Sequence, residues 1–156
     1  MTLDEGAKIL AAIFGIIALF FTAFQIRANT KQRRAQCVGD FLKSFWNDPD
    51  IVEAYYMVEY DEFQYSSDFH GSDVEKKIDR LLECFGSIAK LYRANLISIE
   101  DISLLRYEYL IVYQNEHIRS YVGFLDKWYT MRGIKGRPFD EFRHVGDTLE
   151  KLHYTG

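Results

Sequence analysis

Glu108, Glu116 and His117 bring two carboxylates and an imidazole onto one predicted helix, with Glu108 two turns before Glu116. Such donors are used by helical metalloenzymes. A di-iron bundle, however, needs Glu-x-x-His pairs on two helices and further carboxylates. Two pairs of that form occur, Glu141/His144 and Glu150/His153, but both fall on the last predicted helix. At about 100° per residue, pairs nine positions apart face opposite sides and cannot share an ion. His70 stands close to Ser67 and Asp68, yet a hydroxyl–imidazole–carboxylate triad is assembled in space and not by adjacency. Gly133 and Gly136 lack the spacing of a phosphate-cradling loop. Cys37 and Cys84 are the only cysteines, too few for a zinc site. In a reducing compartment both stay thiols, and each reads as a small apolar packer within a helix. Arg132, Lys135 and Arg137 surround a turn that could touch headgroup phosphates, although a solvated turn is the simpler reading. No residue is assigned to catalysis, to a cofactor or to a metal, and the chain is expected not to be an enzyme.

The elements that would position any site begin with the run from Ile9 to Ile26, eighteen residues without a charge. Eleven of them are Ile, Leu or Phe, and about 17–25 apolar residues suffice to span a bilayer. A buried helix of a soluble domain would show a polar face, and this run has none. A cleaved leader would carry its basic residues before the apolar core, whereas here Asp4 and Glu5 precede it and Arg27, Lys31, Arg33 and Arg34 follow. The expectation is an uncleaved transmembrane helix at 9–26, after a short extracytoplasmic stretch 1–8. The basic juxtamembrane segment 27–34 then sets the orientation, with the C-terminal part in the cytoplasm. Ala7, Ala11, Gly15, Ala18 and Thr22 form a stripe of small side chains at helical spacing. Small residues let two membrane helices approach closely, so self-association through this stripe is an open expectation.

Residues 35–156 hold 14 Lys/Arg against 21 Asp/Glu, a net of −7. An acidic body excludes nucleic acid as a general partner, because phosphate contacts need a basic face. The length suits one domain with its own core. The first helix meets no breaker from about residue 5 to Trp46, which would fuse the span rigidly to the first core helix. Asp48 and Pro49 read as N-cap and first helical residue. A short helix to about Tyr60 follows, and then residues 61–72 read as the longest and most mobile loop. Ser72 to Glu75 has the form of a capping box. Val74, Ile78, Leu81, Phe85, Ile88 and Tyr92 continue it as one apolar stripe, and Asn95 is placed to close the helix. Ser98 to Asp101, with Ile97 and Ile102 as a staple, opens a helix predicted to run to Met131 and to be central because its apolar residues lie on several sides. Residues 133–138 form a turn, and Phe139, Phe142, Val145, Leu149 and Leu152 mark a last helix with Gly146 as a mild weakness. The prediction is all-α: an N-terminal transmembrane helix continuous with a small cytosolic bundle of about five helices at 35–156.

The order of a span, a basic junction, DFLKSFWNDPDIVEAYYMV, LYRANLISIED, a long aromatic helix and MRGIKGRPFDEF resembles an uncharacterised bacterial family of small single-pass membrane-anchored α-helical proteins, a domain of unknown function. The resemblance implies one span and a helical body at the inner membrane, and it brings no catalytic residues. Three function classes follow. The first is a non-enzymatic interaction or sensing module with a protein partner at the cytoplasmic face of the lipid bilayer. The second is an oligomerising membrane effector of the phage-defence or cell-suicide type. The last is the helical metalloenzyme built on Glu108, Glu116 and His117.

Overall fold

The structure is a computed structural model that describes the backbone of residues 3–153 and the side chains of residues 14–152. The chain divides into two units between Gln36 and Cys37, and α1 (Leu3–Asn47) contributes to both. In the first unit every side chain from Phe14 to Arg33 is exposed. Thr22 and Thr30 return their hydroxyls to the carbonyls of Ala18 and Ile26, at 2.8 Å each, so neither offers a free polar group on the helix surface. Residues 9–13 of the expected span lie outside the described side chains, as do Ala7 and Ala11 of the small-residue stripe. Among the described residues, no helix is long and apolar enough to cross a membrane.

The second unit is a helical bundle with no strand among the described residues. After the end of α1 come α2 (Pro49–Glu59), α3 (Asp73–Arg93), α4 (Ile99–Ile102), α5 (Arg106–Gln114), α6 (Glu116–Met131) and α7 (Asp140–His153). Local chemistry sets several of these boundaries. The Asp48 carboxylate accepts from the N–H groups of Asp50 and Ile51 with Pro49 at the first helical position, satisfying donors that a helix start leaves free. Asn95 adopts φ 57° just after α3, as a left-handed helix end requires. The Ser98 N–H donates to Asp101 at 2.8 Å, while Ile97 and Ile102 are both buried.

The aromatic segment departs from the expected single helix. Asn115 has an extended backbone and accepts from the N–H groups of His117 and Ile118, so it caps a new helix and separates α5 from α6. The centre of the bundle is α3 instead. Its Ile78, Leu81, Leu82, Phe85, Ile88 and Ala89 are all essentially inaccessible, and the Phe85 ring meets Phe41 and Phe45 of α1, Tyr109 of α5 and Phe142 of α7. The segment 61–72 is likewise no free loop. It holds a 3₁₀ turn at Ser67–Phe69, and it buries Phe63 and Phe69.

Candidate functional site

The segment 61–72 is fastened by a polar network that spans three elements. His70 Nδ1 lies 2.9 Å from Glu75 Oε1 on α3, and His70 Nε2 lies 3.0 Å from the Tyr65 hydroxyl. The Gly71 N–H donates to the other Glu75 oxygen at 2.5 Å. The expected capping box is therefore only half formed: Ser72 accepts from the Glu75 N–H, but the Glu75 carboxylate turns outward to Gly71 and His70. From α6 the Tyr121 hydroxyl donates to Asp79 at 2.7 Å and approaches Glu75 at 3.4 Å. The Tyr65 N–H donates to His117 Nδ1 at 3.3 Å, and the His70 ring packs on Phe124 with centroids 4.3 Å apart.

The two carboxyls of this network are driven apart. Burial raises Glu75, but the hydrogen bonds from Gly71, His70 and Tyr121 outweigh it and hold its carboxyl below the usual range. At Asp79 burial dominates and lifts the carboxyl, with Tyr121 opposing and the charges of Glu75 and Glu83 adding to the rise. Burial, then the bond to Asp79, pushes the Tyr121 phenol far up, so it stays a donor. Both nitrogens of His70 are already engaged, by Glu75 and by Tyr65. The imidazole thus bridges the Tyr65 hydroxyl and the Glu75 carboxylate. The arrangement is a latch that ties the 61–72 segment to α3 and α6.

The latch makes a pH prediction. Asp79 binds its proton more readily in the folded chain than in the unfolded one. Its contribution to stability is therefore fully present below the ordinary Asp range and is lost as pH rises through the lifted folded value. Asp79→Asn keeps an acceptor for Tyr121 without the charge. Thermal unfolding followed by circular dichroism is expected to show the variant melting above the parent at neutral pH, with the gap closing as pH falls below the ordinary Asp range. A variant that melts lower at neutral pH would remove the burial argument.

The residues singled out from the sequence are not brought together. His117 is occupied by Tyr65, Glu150 accepts from Gln114 at 3.0 Å, and no cluster of three His, Cys, Asp or Glu suited to a metal is found among the described residues. Cys37 and Cys84 both pack against the core, and burial, then the charge of Asp48, lifts the Cys84 thiol to about 11. Arg27, Lys31 and Arg33 are exposed, Arg34 is half-buried, and among the described residues nothing beyond the helix's own backbone lies within 4 Å of where a Cβ on Gly15 would sit. The 132–137 turn is less free than expected, because Arg137 donates to Asp126 at 2.9 Å and Arg132 lies over the Trp128 ring at 5.2 Å. The latch itself was missed, since its partners come from distant segments. The one local signal was a histidine five positions before a glutamate at a helix start. Comparison with family models, with curated proteins and with solved structures finds no match for this chain.

Proposed function

We propose that the chain is a single-pass membrane protein whose helical bundle serves as a non-enzymatic interaction module at the cytoplasmic face of a cell membrane. One observation carries this reading. Phe14, Ile16, Ile17, Leu19, Phe20, Phe21, Phe24 and Ile26 are all more than half exposed, all round a helix whose apolar run begins at Ile9. Soluble chains rarely leave so large a contiguous apolar surface in water. Lipid is the surrounding that suits a stretch without a polar face, and the four basic residues after Ile26 suit anionic headgroups.

The test is fractionation of the full-length chain. It is expected to pellet with membranes, to resist extraction by alkaline carbonate and to enter solution only with detergent. Release by carbonate, or a chain that stays in the supernatant without detergent, would overturn the anchor. Crosslinking from native membranes, expected to recover one protein partner in defined stoichiometry, tests the module.

A further inference from the structure

Within the unit that begins at Cys37, contacts along α3 define two ends. Asp48 pairs with Arg80, Phe45 meets Phe85 at 5.5 Å, and Cys37 lines a groove with Leu91. The end of α1 thus runs antiparallel to α3, and Cys37 lies toward the C-terminal end of that helix. Tyr121 reaches Asp79, while Trp128 and Tyr129 share a groove of about 430 Å³ with Lys90. So α6 runs parallel to α3 and finishes at the same end. Arg93 pairs with Asp140 at 3.4 Å, which brings the 132–139 turn there as well.

The two ends differ in charge. Residues 127–137 carry four basic side chains and no acid, whereas residues 59–75, which lead into the start of α3, carry six acids and no Lys or Arg. Of the carboxylates near the basic end, Asp126 is paired with Arg137 and Arg143 and Asp140 with Arg93, while Glu141 shares the groove of Lys90 and Trp128. Lys127, Arg132 and Lys135 are exposed and enter no ion pair among the described residues. The same end exposes the apolar side chains of Met131, 76 %, Leu96, 57 %, Ile134, 42 %, and Trp128, 36 %. An amphipathic indole with Arg132 over its ring, and exposed aliphatic groups on an end that carries cations, match the chemistry of a membrane–water interface. An aqueous acidic surface would reward the charges and waste the apolar groups.

We propose that this end of the bundle, through Trp128, Met131, Arg132, Ile134 and Lys135, rests on an anionic bilayer surface as a second membrane contact. The proposal rests on the membrane-anchored reading and deepens it. Cys37 continues from the basic segment 27–34, so the chain enters the bundle at the end that carries this contact. The domain is then oriented, with its acidic end and the His70 latch turned away from lipid toward a partner.

The experiment uses the full chain with Trp46→Phe, so that Trp128 is the sole tryptophan. It is reconstituted into vesicles of phosphatidylcholine alone or mixed with phosphatidylglycerol, each with brominated acyl chains as quencher. Strong quenching and a blue-shifted emission are expected in the anionic vesicles and much less in the neutral ones. Arg132→Gln with Lys135→Gln is expected to weaken occupancy on the order of 25-fold, from about fivefold per basic residue near an anionic surface, while thermal unfolding stays unchanged. A chain that floats with the vesicles while Trp128 remains unquenched in both lipids would overturn the second contact alone and point to an acidic protein as the occupant. Flotation that the double Gln variant abolishes outright would overturn the anchor and support the contact as the attachment. A chain that floats with neither vesicle would overturn both.

Discussion

Replacing Phe85 by alanine is expected to remove about 3–5 kcal/mol of stability, the range for deleting a large aromatic from a core. Phe85 is fully buried, and its ring centroid lies 4.9 Å from Tyr109, 5.5 Å from Phe45, and 6.1 Å from both Phe41 and Phe142. Those partners come from the end of α1, from α5 and from α7, so the ring is where three elements lean on α3. Each of them also meets a second ring: Phe41 meets Phe45 at 6.1 Å, Phe45 meets Tyr55 at 5.5 Å, and Tyr109 stacks on Phe142 at 5.1 Å. None of them can move into the vacated space without abandoning a second neighbour, which places the cost in the upper part of the range. Since single domains are stable by only about 5–15 kcal/mol, the variant is expected to sit near unfolding at body temperature. Urea unfolding followed by circular dichroism measures it. Phe85→Leu, which keeps most of the volume, should lose less than half as much and stays measurable if the alanine variant does not fold. An alanine variant within about 1 kcal/mol of the parent would mean that the cluster is loosely packed and that α3 is not its centre.

How much of this was readable beforehand divides along the range of the interaction. Asp48, Asn95 and Ser98 act on backbone groups within three or four residues, and their roles follow from residue type and position alone. The apolar stripe of α3 was equally plain, because a half-buried helix writes its period into its own sequence. The break at Asn115 was not, since apolar residues on several sides of the segment keep a helical period on both sides of the cap. Asn115 followed by Glu116 is in fact a helix-start signal, hidden because neither Gly nor Pro accompanies it. Along the chain His70 stands beside Ser67 and Asp68, whereas its partners in the fold are Tyr65 and Glu75 and its ring packs on Phe124 of α6. The net charge of the body was countable, but its separation into a basic and an acidic end depends on which way α6 runs along α3. That is a property of packing, and no local pattern encodes it.

Gly146 shows the same limit in one residue, and it carries the second large expectation. Judged by propensity, a glycine inside α7 is a weakness, and Gly146→Ala should gain up to about 1 kcal/mol. The structure reverses the sign. A Cβ at this position would stand 2.2 Å from Cδ2 and 2.5 Å from Cγ of Tyr113. Because Cγ is the root of the ring, rotating the ring plane does not relieve the overlap. Either α5 and α7 separate, or Tyr113 leaves its rotamer. Leaving would break the hydroxyl's bond to Asp147 at 2.5 Å, the ring contact with Phe142 at 6.0 Å and the Arg119 guanidinium stacked 5.1 Å above the ring. Separation would open Tyr109 and Val112, both fully buried. Overpacking of this kind costs about 1–3 kcal/mol, so Gly146→Ala is expected to lose stability by that amount. A double-mutant cycle isolates the cause. In a Tyr113→Ala background the ring is gone, propensity alone remains, and the same substitution should become neutral or stabilising. Were Gly146→Ala to stabilise the parent chain, the close approach of α5 to α7 at this crossing would be refuted, and with it the reason that a helix-weakening residue stands there.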